Sequence, residues 1–212
     1  MSIIIELQQQ AIDGNIDILS LLRKALLVSR KLELADFEQW LNNELNGYQD
    51  TNKIPDYRKI RGELKGWNPH HGWIPVLIED PGIEEVLCQK RIYVSIPNLY
   101  SLIESKEKQL AIPIQGSESA LISKYTGFST KYQLFISSNS VNDIIEQVKN
   151  KVLDWSLMLE ERGIEGEGLN FTQAEKESAK SDPNIVQYIN NFYGNIFNSQ
   201  IQQGAKNSSQ KN

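Results

Sequence analysis

The 212-residue chain has little of what covalently braced or metal-dependent proteins rely on. Cys88 is its only cysteine, so no intrachain disulfide can form, which agrees with a reducing compartment. The only histidines, His70 and His71, are adjacent, and neighbouring positions in a strand point to opposite faces. Both reach one metal only from a loop, and no cysteine or carboxylate stands at ligand spacing beside them. They read as a surface loop framed by Trp67, Pro69 and Trp73, and no metal site is expected. No apolar run approaches the length that crosses a bilayer. The opening MSIIIELQQQ has no basic region ahead of its few apolar residues, so it does not read as a signal peptide. The expected location is the cytoplasm, without a membrane partner. Gly163, Gly166 and Gly168 have the wrong spacing for a dinucleotide fingerprint and follow a helix instead of a strand. No cofactor is implied.

A field of one sign is also missing. The net charge of −5 weighs against nucleic acid as a partner, and no nucleic-acid reader motif is present. Lys53, Arg58, Lys59, Arg61 and Lys65 form a mildly basic run that Asp56 and Glu63 dilute. Strand alternation would put Lys59, Arg61, Glu63 and Lys65 together on a solvated face. Cys88 has no companion histidine and reads as buried, not nucleophilic.

What is present is periodicity. Ile3, Ile4, Leu7 and Ala11 predict a short first helix that Asp13-Gly14-Asn15 ends. Asp17 caps a second, whose apolar face carries Ile18, Leu19, Leu22, Ala25, Leu26, Ser29 and Leu32. In a third, over 36–46, Phe37, Trp40, Leu41 and Leu45 share one side, and Gly47 is expected to close it as a left-handed cap. These three make an N-terminal helical unit with antiparallel neighbours.

From Tyr57 the period changes. Lys59–Gly66, Arg91–Ile96, Gln109–Ile114 and Lys131–Ser137 read as short strands of a small, mostly antiparallel sheet, punctuated by glycine and proline. Short helices are expected over Pro97–Glu104 and Ser119–Tyr125. Val141, Ile144, Ile145, Val148, Val152, Trp155 and Leu159 then trace one stripe of a long amphipathic helix over Asn139–Arg162. Ser140 and Asp143 suggest its start and Arg162-Gly163 its stop. The fold class is α+β. By composition, 1–164 is the folded domain, 165–183 a linker with a brief helix at Thr172–Lys180, and 184–212 an Asn/Gln-rich tail.

The tail interleaves Asn, Gln and Ser with Ile, Phe and Tyr and holds no acidic residue. Such a segment builds no core of its own, yet it can pair backbone to backbone. In a strand Phe197, Ser199 and Ile201 face one way and Asn198, Gln200 and Gln202 the other. Three outcomes are open: a disordered terminus, strand pairing in a small homo-oligomer, or fibre formation. The residues assigned to self-association are Ile196, Phe197, Gln200, Ile201, Gln202, Gly204 and Asn207. The core I-Q-Q-G with Asn207 resembles bacterial amyloid-signalling motifs of the I-Q-x-G-x-x-N kind.

The most specific signal joins W-L-N-N-E-L-N-G-Y at 40–48 to P-D-Y-R at 55–58. With the helices at Ile3–Gln10, 21–32 and 141–164, this combination resembles the AbiTii domain of bacterial anti-phage abortive infection. The resemblance implies a defence role and no known reaction. Trp40, Glu44, Tyr48, Asp56, Tyr57 and Arg58 are the candidate residues. A carboxylate, a tyrosine and an arginine together can serve acid/base or phosphate chemistry, or lock a helix to the following strand. With no obvious nucleophile beside them, the locking role is expected and no catalytic residue is assigned. The expectation is a sensor or adaptor that acts by protein–protein contact and self-association, with a phage or host protein as trigger. The alternatives are an enzymatic toxin (a nuclease or nucleotide hydrolase using carboxylates, Arg58 and His70 or His71) and a nucleic-acid-binding accessory protein.

Overall fold

The computed structural model describes residues 2–104 and 109–193. The chain divides into two compact units, Met1–Asp56 with Val148–Asn212, and Tyr57–Gln147.

The first unit is helical. Helices α1 (Ile3–Ile12), α2 (Ile18–Lys31) and α3 (Ala35–Asn46) follow the predicted periodicity. The hydroxyl of Ser2 and the carboxylate of Asp17 cap the first two by accepting from the free backbone N–H groups of the opening turn. Gly47 ends α3 with a positive φ of 90° but an extended ψ of 160°, so it is not the left-handed cap expected. Helix α7 (Ser138–Glu161) begins one residue before its predicted start because Ser137, not Ser140, is the capping hydroxyl. Gly163, at φ +69°, stops it by donating to Glu160, while Ile164 reaches back to Leu159. Helix α7 supplies its first turns to the second unit and the remainder, from Val148, to the first.

Two further helices complete this unit. Thr172 and Glu175 form a capping box at the start of α8 (Gln173–Ser181), and Glu33 binds Lys176 and Lys180 from outside it. Asp182 caps α9 (Pro183–Asn190), whose proline sits where a missing N–H costs nothing. Ile185, Ile189 and Phe192 are buried, so the first residues of the Asn-rich segment do join a core, contrary to the compositional reading. The amphipathic spacing, not the Asn content, decided the outcome.

Among the described residues, the second unit holds the strands: β1 (Lys59–Arg61), β2 (Glu63–Asn68), β3 (Gly72–Pro75), β4 (Gln89–Arg91), β5 (Gln109–Ile114) and β6 (Tyr132–Ser137). Strands β1 and β4 pair alone, and the others form an antiparallel sheet in the order β3-β2-β6-β5. Helices α4 (Pro81–Cys88), α5 (Ile96–Glu104) and α6 (Gly116–Thr126) lie between strands in sequence. The single strand expected over Lys59–Gly66 is broken at Gly62, where a Cβ would stand 2.6 Å from Leu134 and 2.9 Å from the Phe135 carbonyl. Only glycine permits that approach, and the break puts Lys59 and Arg61 in a different sheet from Glu63 and Lys65. The strand expected at Arg91–Ile96 ends at Arg91, and α5 begins at Ile96.

Alternation in the larger sheet is clean. Leu64, Gly66, Tyr132, Leu134, Ile136 and Ile114 are buried, whereas Glu63, Trp67, Pro75, Ala111, Pro113 and Ser137 are exposed. The α+β class and the antiparallel sheet thus stand as read from the sequence. Among the described residues, no helix is long and apolar enough to cross a membrane.

Candidate functional site

The motif residues fall in both units. In the first, the 3.6-residue period of α3 directs Phe37, Trp40, Leu41 and Glu44 inward, and all four are buried. Phe37 stacks on Trp155 of α7 with ring centroids 4.0 Å apart. Trp40 lies 5.0 Å from Phe37 and 4.8 Å from Phe192. Such offset aromatic contacts add to the large area these rings remove from water. The Trp155 indole N–H has no hydrogen-bond partner among the described residues, so it packs as a hydrocarbon would.

Glu44 is a carboxylic side chain in this apolar setting. Tyr48, one turn on and itself buried, donates its hydroxyl to Glu44 Oε1 at 2.5 Å. A buried polar group of this kind is tolerated only with partners. Lys151 on α7 sits with its ammonium 4.6 Å from the Phe192 ring centroid. Burial lowers its pKa, and the nearby Asp154 and Glu44 carboxylates oppose that shift. Tyr188 of α9 donates to Asp154 and to the Lys151 carbonyl. Burial, the Asp154 charge and that hydrogen bond push its phenol far above the ordinary tyrosine range. The tyrosine therefore stays neutral and serves as a donor.

In the second unit Arg58 is fully buried, and its Nη1 donates to the carbonyls of Ile92 and Val94 at 2.9 and 2.8 Å. It thereby fixes the chain between β4 and α5, where the backbone has left a ladder and has not yet entered a helix. Tyr57 beside it is half-buried, and Asp56, the last residue of the first unit's opening segment, is exposed. Within each unit, then, the structure joins Glu44 to Tyr48 and ties Arg58 to backbone carbonyls. Both are hydrogen bonds made inside a core.

His70 and His71 occupy the tip of the β2–β3 hairpin, exposed, with their backbone N–H groups bound to Asn68 Oδ1 at 2.8 and 3.1 Å. Gly72, at φ +73°, closes this turn in the left-handed region. Among the described residues no group of three or more His, Cys, Asp or Glu is placed to hold a metal ion. Cys88 is buried, and that burial, helped by Glu84, raises its thiol pKa. The self-association residues Ile196, Phe197, Gln200, Ile201, Gln202, Gly204 and Asn207 lie outside the described residues.

Sequence reasoning missed Lys151, Asp154, Tyr188 and Phe192 around the motif. A signal existed for the last two: Asp182-Pro183 is a cap followed by an N1 proline, and Ile185 and Ile189 share a face four residues apart.

A family model for AbiTii matches residues 2–184. No curated protein and no solved structure matches the chain.

Proposed function

The chain belongs to the AbiTii family and so to bacterial abortive infection against phage, and from that premise we propose that it acts as a sensor or adaptor, by protein contact and self-association. The observation that carries this reading is the use made of the residues on which the sequence resemblance rests. Trp40 and Glu44 are buried in α3, and Arg58 is buried on two carbonyl oxygens. Residues held in this way stiffen the core, and a fixed shape is what recognition by contact requires. Self-association belongs to the segment beyond Tyr193, where Phe197, Ser199 and Ile201 alternate with Asn198, Gln200 and Gln202, whose amides are able to form ladders between identical chains. The trigger in this reading is a phage or host protein, and the site of action is the cytoplasm.

The test is infection of cells that express the intact chain or a chain ending at Tyr193. The intact chain is expected to lower phage plating and the shortened one to lose that effect while it accumulates to the same level. Equal protection by both would remove the tail from the mechanism.

A further inference from the structure

The solvent side of the four-stranded sheet has a composition that neither the fold nor the proposed function explains. Register brings Trp67 opposite Trp73, Lys65 between Pro75 and Gln133, and Phe135 between Glu63 and Ala111. Trp67, Trp73 and Phe135 form a chain of rings with centroids 5.4 and 5.5 Å apart, each pair edge to face. Trp67 is 43% exposed, although it is among the largest apolar side chains available for burial. Lys65 Nζ lies 4.9 Å from the Phe135 centroid. No leucine, isoleucine, valine or methionine stands at any solvent-side position of β2, β3, β5 or β6. The apolar content is aromatic rings, two prolines and an alanine, and the rest is lysine, glutamine, serine and one glutamate.

What separates this face from the core of a protein interface is the lysine, glutamate, serine and alanine that stand among its rings, residue types in which such cores are poor. Flat π surfaces beside cations and amides suit flat, anionic partners. Lys131, exposed at the head of β6, adds a cation that pairs with no carboxylate among the described residues, and Trp67 N–H fixes its place by donating to its carbonyl. His70 and His71 stand at the hairpin tip between the two tryptophans in sequence. A trough of about 500 Å³ continues the surface, lined in part by Phe135, Gln109, Ser137 and Arg61. The acidic groups on its rim are already paired, Glu63 with Lys65 at 2.9 Å and Glu84 with Arg61 at 2.5 Å.

The objection from net charge does not apply to this unit. Tyr57–Gln147 carries ten lysines and arginines against ten aspartates and glutamates, so the −5 of the chain belongs entirely to the flanking segments. From these observations we infer that the open face of the β3-β2-β6-β5 sheet binds single-stranded nucleic acid. Bases stack on Trp67 and its ring neighbours, phosphates meet Lys131, and Lys65 and Arg61 reach them by leaving Glu63 and Glu84. Stacking makes no demand on base identity, so recognition is of unpaired strand and not of sequence. A base in a duplex has no free face, and duplex is excluded for that reason.

The test uses the full-length chain and fluorescence anisotropy with labelled oligouridylate and oligothymidylate of about 12 nucleotides, and a duplex of the same length, at about 50 and about 200 mM salt. The single strands are expected to bind at least about ten-fold more tightly than the duplex. Trp67→Ala should weaken them about ten-fold at unchanged melting temperature, and Trp67→Phe should restore most of the loss. Lys131→Gln should lower the salt slope by about one. Three results would overturn the inference: neither strand binds the intact chain, binding ignores Trp67→Ala, or Trp67→Ala shrinks a homo-oligomer while no strand binds. The last would assign the face to a second copy. The first two leave the tail untouched, so the proposed function stands or falls separately from them; the third would move self-association from the tail to this face.

Discussion

The two units use the same kind of residue in opposite ways. In the helical unit Trp40, Trp155, Phe37 and Phe192 are buried and in mutual contact. In the sheet unit Trp67 faces solvent, and so do Tyr93, Tyr125 and Phe128 at 49–60% exposure. The helical unit carries the chain's negative charge, and the sheet unit is neutral. Aromatic side chains hold the first together, whereas in the second only Tyr132 is buried and the exposed rings are available for contact. A substitution series can break that contrast.

The largest loss is expected for Trp155→Ala, which removes a fully buried ring stacked on Phe37 and should cost about 3–5 kcal/mol in denaturant unfolding. Arg58→Leu comes next, at about 2–3 kcal/mol, because the Ile92 and Val94 carbonyls lose a buried donor. Its effect should appear first as faster amide exchange around β4 and the start of α5.

Glu175→Gln should cost about 1 kcal/mol. Burial alone would raise the Glu175 pKa, but hydrogen bonds from Thr172, Gly166 and Glu165 hold it below the ordinary carboxylate value. A carboxylate depressed by folding contributes stability at neutral pH that is lost as pH falls through its folded pKa. The gap between the native chain and Glu175→Gln should therefore narrow in acid, below the ordinary glutamate range. The smallest loss belongs to Trp67→Ala, under about 1 kcal/mol, since its ring is exposed. If Trp67→Ala destabilised as much as Trp155→Ala, the division between holding and contacting aromatics would be wrong.

Much of the helical unit was legible because a 3.6-residue period needs no partner to be read. Asp17, Gly163 and the stripe from Val141 to Leu159 each announced a boundary or a face locally. The sheet unit was harder because strands are defined by partners distant in sequence. The break at Gly62 depends on Leu134 and Phe135, and β3 was missed because Pro69-His70-His71 reads as loop on either side of its turn. Helix α4 was missed despite a local signal, Asp80 capping a helix that opens with Pro81. The burial of Trp40 follows from the helix period, whereas that of Glu44, Tyr48 and Arg58 depends on neighbours distant in sequence and has no local signal. The aromatic face needed the registers of β2 with β3 and β6, which no period in one segment reveals.

On the proposed function, this family member works by joining copies of itself through the segment after Tyr193. Light scattering across a concentration series of the full-length chain and of a chain ending at Tyr193 measures it directly. The full-length chain should give a mass above the monomer, rising with concentration, and the shortened one a constant monomer mass. A single, concentration-independent monomer mass for both would contradict it.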